Sequence, residues 1–241
     1  MTTFEPKAVK ARIADLNVIM HCKTAFMVQR MQKYAFDFDE PAHVEIDISE
    51  QQLSDYTALH PHLDYASAEY MLSGAYFYGC LYRNYRGIML HASAIAMDGY
   101  GYLFSANSGT GKSTHTGLWI KQFDKRAQYI NDDKPALRLT EEGWRVYGTP
   151  WSGKTALNEN ISVPLKAIAF LYRSAENKIE RMENTQSIMH FMEQTIRPKT
   201  EKGIDKVFAL LEDLLENVPV YQLGCNVSPE AAKLAYETMK Q

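Results

Sequence analysis

The chain has 241 residues, with 26 Lys and Arg against 29 Asp and Glu and a formal charge of −3. That balance excludes the basic excess of a nucleic-acid binder and the charge bias of an acidic-tailed chain. Apolar residues at 46% and aromatic residues at 12% argue against long disorder and suffice for the core of one or two domains.

Cys22, Cys80 and Cys225 lie far apart, are odd in number and form no CxxC or metal-type spacing, so they read as free thiols of a reducing cytoplasm. The first sixteen residues mix charges throughout and hold no signal-peptide core. The most apolar stretch, 71–81, is too short for a hydrocarbon layer of ~30 Å and is interrupted by Gly74 and Gly79. The expectation is a cytoplasmic chain with neither a membrane nor a nucleic-acid partner.

No repeat, low-complexity tract or linker divides the sequence. Up to about residue 85 it reads as short strands and helices, with strict alternation over 44–48 predicting a half-exposed strand. Length predicts a helix over 67–85. It carries Tyr70, Gly74, Phe77, Leu81 and Tyr85 on one face, read as a core stripe because Gly74 and Gly79 suit close packing. An apolar strand follows over 88–97, then a tight turn at Asp98-Gly99 and a second strand over 100–106. Beyond a Gly-rich loop come a helix over 112–123, a short strand over 127–131 and a hairpin pairing 137–140 with 144–147. A strand over 165–172, helices over 186–195, 204–216 and 229–240, and a strand over 218–223 complete the pattern. Ser228 as N-cap and Pro229 at the first helical position open the last helix. This alternation predicts an α/β fold, with α+β as the alternative, in which helices flank a mixed sheet.

The most informative stretch is Ala106-Asn107-Ser108-Gly109-Thr110-Gly111-Lys112-Ser113-Thr114, placed between a strand and a helix as a phosphate-binding loop requires. Gly109 and Gly111 permit backbone angles that turn successive N–H groups toward an anion, and the helix N-terminus adds free donors and partial positive charge. Lys112 would reach the β- and γ-phosphates, and the Ser113 hydroxyl would ligate Mg2+. The strict pattern GxxxxGK[ST] has Gly where this chain has Ala106.

A second element, Asn131-Asp132-Asp133-Lys134, follows the next strand. A kinase needs one carboxylate for Mg2+ and one group to orient the attacking hydroxyl, and adjacent aspartates can divide these tasks. Two carboxylates so close ionise together at low cost only beside a cation, although the same composition also suits a solvated turn.

Taken together, His91, the SGTGKS segment 108–113 and the Asp-Asp strand end resemble the C-terminal kinase domain of HPr kinase/phosphorylase. That family runs a His-bearing strand, a turn, a strand, GxSGxGKS, a helix and Ala-Asp-Asp, and residues 89–133 follow the same order. The SGTGK core is also similar to that of ATP-dependent phosphoenolpyruvate carboxykinase.

The resemblance implies an HPr kinase-like P-loop domain over 86–241, with residues 1–85 as a smaller lobe packed on it. Residues 107–114 would bind ATP, Ser113 and Asp133 would hold Mg2+, and Asp132 would be the base with His91 nearby and Lys112 on the phosphates. Thr114 stands where that family has Glu, and its Gly- and Arg-containing protein-substrate loop is not recognisable, which implies a paralogue. In place of that loop stands 148–154, where Trp151 could give a flat face to substrate and Lys154 a cation. Arg173 and Arg197 read as lone, solvated cations. The function expected is transfer of the γ-phosphate of ATP to a hydroxyl of a protein, peptide or small molecule. The alternatives are a non-catalytic ATP sensor or scaffold and carboxykinase-like phosphoryl transfer. A homo-oligomer is compatible with the resemblance.

Overall fold

In the computed structural model, which describes residues 4–241, strands β1 (Lys7–Ile13) and β2 (Leu16–Cys22) form an antiparallel hairpin. Ala14 and Asp15 turn it with φ of 51° and 59°, the left-handed pair that matches strand twist in a two-residue connection. Residues 1–3 of the charged N-terminal stretch lie outside the described residues. β3 (Val44–Ile46) adds to β2 in parallel, and α1 (Ala25–Met31), α2 (Glu50–Leu59) and α3 (Tyr65–Asn84) accompany this small sheet. No helix among the described residues is long and apolar enough to cross a membrane.

The side chain of Asp64 caps α3, accepting from the Ser67 N–H, and the helix buries the predicted stripe of Tyr70, Gly74, Phe77 and Leu81. Tyr85 ends the helix instead of continuing its face. Trp151 packs against that stripe: it is 0% exposed, stacks on Phe77 at 5.0 Å and donates its indole N–H to Ser73 at 3.2 Å. A Cβ on Gly74 would stand 3.0 Å from the indole, so the glycine sets how closely the ring approaches. Trp151 therefore offers no face to a ligand, contrary to the sequence expectation. Its apolar area is spent joining α3 to the loop after the hairpin, in a core that also contains Met89, Ala136 and Tyr147.

The remaining strands are β4 (Gly87–Met89), β5 (Ala92–Met97), β6 (Tyr100–Ser105), β7 (Ala127–Asn131), β8 (Ala136–Thr140), β9 (Gly143–Tyr147), β10 (Ser162–Arg173), β11 (Lys178–Arg181) and β12 (Val220–Cys225). They form one mixed sheet in the order β4-β8-β9-β10-β6-β5-β7, with β12 also on β10 and β11 on β12. β10 spans two neighbourhoods: its start pairs antiparallel with β9, and after a bulge it runs parallel to β6 and β12. Its side chains alternate between faces, Ile168 and Phe170 to one core and Ala167, Ala169 and Leu171 to the other. α5 (Asn184–Gln194) and α6 (Glu201–Asn217) pack on the first face, and α4 (Lys112–Phe123) and α7 (Pro229–Met239) on the second. The fold is α/β, a mixed sheet with flanking helices.

The expected strand over 88–97 is two strands. β4 pairs with β8, whereas β5 pairs with β6 and β7. The break falls at Leu90-His91, where Leu90 bridges Thr195 and the His91 N–H donates to the Gln194 carbonyl at 2.7 Å. An unbroken apolar run hides the break because these residues are covered on both sides of it.

Truncating Trp151 to Ala should cost about 3–5 kcal/mol, and Trp151→Phe less, because the cavity left between α3 and the loop cannot collapse fully. Urea unfolding of the two variants measures this, and an unchanged Trp151→Ala midpoint would contradict the packing role.

Candidate functional site

The loop after β6 turns on Gly109 and Gly111, with φ of +80° and +129°. Space is not the reason for either glycine, since a Cβ would meet nothing within 4 Å at both. The requirement is the left-handed backbone itself. Arg173, at the end of β10, donates to the Gly109 carbonyl at 2.6 Å and the Thr110 carbonyl at 3.2 Å. With the Thr110 carbonyl held outward, the N–H of Gly111 in the same trans peptide points the opposite way. Arg173 is therefore not the lone cation its sequence surroundings suggest: the parallel pairing of β10 with β6 brings it against the loop as a brace.

Lys112 is buried and its ammonium donates to the Ala106 carbonyl at 2.8 Å. Burial lowers its pKa, and the charges of Asp133 and then Asp132 oppose that shift. Ala106, where the strict motif has Gly, is buried in the core beside α4, so its methyl group is accommodated. Ser113 and Thr114 are exposed at the start of α4. The next residue, His115, is buried and its Nε2 accepts from the Trp119 indole at 3.1 Å, while Nδ1 has no partner. Burial pulls its pKa from 6.5 to about 4.

The aspartate pair sits on a side-chain turn. The Asn131 carboxamide oxygen accepts from the N–H groups of Asp133 (2.9 Å) and Lys134 (2.7 Å), and its amide donates to Thr149. The two carboxylates then meet different surroundings. Asp132 is buried and accepts from the Ser93 hydroxyl at 2.7 Å and the Thr155 hydroxyl at 3.1 Å. Asp133 faces His91 Nε2 at 3.2 Å and the Lys134 ammonium at 2.6 Å. Burial alone would raise the pKa of Asp133, but the His91 hydrogen bond and the Lys134 charge pull it down to about 2.

A cavity of about 830 Å³ brings these groups together: Ser108, Gly109, Gly111, Lys112, Ser113 and Thr114 from the loop and α4, with His91, Asp132, Asp133 and Lys134. Lys154 is exposed and also lines it, whereas Trp151 does not. Asn107 and Thr110 line a second cavity of about 540 Å³ on the other side of the loop, together with Arg173, His190 and Gln194. The far wall of the larger cavity comes from the N-terminal helices, through Phe26, Arg30, Tyr70 and Met71. No motif marks Phe26, Arg30 or Met71; Tyr70 belongs to the aromatic stripe that the sequence reads as core, and it borders the cavity as well. The Arg30 guanidinium lies over the Phe26 and Tyr70 rings and donates to Ser152 and Gly153, tying this wall to the loop after β9.

A family profile described as SynChlorMet cassette protein ScmC matches residues 72–231, more than half of the chain. The chain belongs to the ScmC family. Comparison with curated proteins gave no match. Among solved structures, the chain is similar to the Hpr(Ser) kinase/phosphatase from Coxiella burnetii at 10% identity, over 62% of this chain and 95% of that one, with a TM-score of 0.34.

The depressed pKa of His115 ties the stability of α4 to pH. Above 6.5 both folded and unfolded chains hold this ring neutral. Between 6.5 and about 4 only the unfolded chain takes the proton, so stability falls with pH, by up to about 3 kcal/mol. His115→Gln, whose carbonyl can still accept from Trp119, should flatten that limb in urea unfolding followed from pH 7 to 4.

Proposed function

We propose that this chain is an ATP-dependent phosphotransferase that moves the γ-phosphate to a hydroxyl of a protein, peptide or small-molecule acceptor, with Mg2+. The observation that carries the reading is the convergence of a glycine-turned strand–loop–helix, Lys112 and two differently held aspartates on one cavity. A phosphate loop alone would serve any nucleotide binder. Transfer also needs a carboxylate placed beside the phosphate, toward the side from which an acceptor enters.

In this reading the N–H groups of Gly111 and the first turn of α4 hold the phosphates, and Lys112 leaves the Ala106 carbonyl to reach the transferred group. Ser113 and Asp132 would hold Mg2+, which when bound neutralises charge on the phosphate oxygens. These hard oxygen donors fit that ion. No cluster of three or more His, Cys, Asp or Glu suited to a metal occurs among the described residues. None is required when phosphates and water complete the shell.

The surroundings of the two aspartates favour the reverse of the division expected from sequence. Two hydroxyl donors fix Asp132 and leave it lone pairs for a cation. Asp133, in contact with His91 and Lys134, would accept a hydrogen bond from the acceptor hydroxyl. That oxygen bonds to the γ-phosphorus as the bond to the β,γ-bridging oxygen breaks. ADP leaves, and the hydroxyl proton passes to Asp133. A carboxylate of such low basicity takes the proton late, which suits a loose transition state in which alignment matters more than proton removal.

Cell extract incubated with γ-labelled ATP and the protein should yield a labelled acceptor. Lys112→Ala and Asp133→Asn should each reduce the label about a hundredfold or more. Wild-type labelling by Lys112→Ala would sink the mechanism. Tight ATP binding with no label transferred would favour a nucleotide-sensing module instead.

A further inference from the structure

His91 is held at both ring nitrogens. Nε2 meets Asp133 at 3.2 Å, and Nδ1 meets the side-chain oxygen of Gln194 at 3.0 Å. The other end of the Gln194 carboxamide donates to the Asn107 side-chain oxygen at 2.7 Å, inside the phosphate-binding loop. Two side-chain hydrogen bonds, Asn107 to Gln194 and Gln194 to His91, and the ion-pair contact of His91 with Asp133 thus make a line of polar contacts from the loop to the aspartate. The line passes between the two cavities, because Asn107 and Gln194 border the smaller one and His91 and Asp133 the larger.

Gln194 is well placed to carry load. It is 8% exposed at the end of α5, and its carbonyl accepts the His91 N–H at 2.7 Å. The next residue, Thr195, donates its hydroxyl to the Met89 carbonyl at 2.6 Å. One turn back, Phe191 is fully buried against Phe170. Both ends of its side chain are satisfied and its backbone is pinned to the residue it orients, which is the support a reacting group needs to hold a geometry.

We propose that Gln194 is a positioning residue, fixing His91, and through it the Asp133 carboxylate, relative to the phosphate-binding loop at Asn107. Its catalytic consequence rests on the phosphotransferase reading; its geometry does not. Without Gln194 the imidazole keeps a partner only at Asp133 and can turn, which leaves Lys134 alone to orient the carboxylate. Misplacement of this kind weakens turnover more than phosphate binding, because the loop amides and Lys112 are untouched.

The test has two arms. In the first, basal ATP hydrolysis is the probe: Gln194→Leu should lower kcat about tenfold while KM for MgATP changes less than about threefold. Gln194→Glu, which keeps an acceptor for His91, should recover part of that loss. In the second arm, NMR of isotope-labelled histidine is recorded without nucleotide. Gln194→Leu should move the His91 ring signals. Asn107→Ala should move them in the wild-type background but not in Gln194→Leu. Unmoved His91 signals overturn the proposal, as does an equal fall of kcat and MgATP affinity with a lowered Tm, which would mark a purely structural role. Signals that respond as expected in a wild-type protein that binds no nucleotide would uphold the relay and remove the phosphotransferase reading.

Discussion

The site depends on a junction where the backbone leaves β4 and enters β5. At Leu90-His91 the strand pairing lapses, and the end of α5 fills the gap with a backbone bridge, the Gln194 carbonyl that accepts the His91 N–H, and the Thr195 hydroxyl. Buried peptide groups must find partners, so a helix end that supplies them at a strand break fixes both elements. Here that obligation brings a helix distant in sequence against the residue that faces Asp133. Had the strand continued unbroken, His91 would have been one more ladder residue.

A second constraint acts on the loop. β10 runs parallel to β6, so its end lies beside the turn that leaves β6, and Arg173 reaches back to the outward carbonyls. The ends of parallel strands form the edge at which open α/β sheets bind ligands. One strand, β10, serves two neighbourhoods, antiparallel to β9 near the hairpin and parallel to β6 near the loop. The hairpin and the glycine loop are therefore braced by a single strand.

The N-terminal helices contribute a wall of the larger cavity. Trp151 anchors the loop after β9 to α3, and Arg30 ties its next residues to α1. The loop that supplies Thr155 to Asp132 is thereby fixed from behind by apolar packing. Identifying Trp151 as a ligand surface fails for a simple reason: a large flat ring satisfies a core as well as a ligand, and only burial tells the two apart.

Much of the site was legible because its chemistry is local. The glycine turn, Lys112, the hydroxyls and the Asp-Asp pair lie in short segments whose backbone needs are written in their own residues. The helix over Lys112–Phe123 and the strand over Ala127–Asn131 follow from the same local pattern. The contacts of Gln194, Arg173 and Arg30 and the different surroundings of Asp132 and Asp133 were not legible. Each acquires its role from a partner brought close by folding, and nothing in its own neighbourhood marks it. By itself the sequence determined that a glycine-rich strand–loop–helix and paired carboxylates occur in order within an α/β chain, since backbone propensity and motif spacing are local properties. Only the tertiary structure decided which side chains brace that loop, which carboxylate meets histidine and which meets hydroxyls, and that Trp151 is core, because contact and burial are properties of the packed whole.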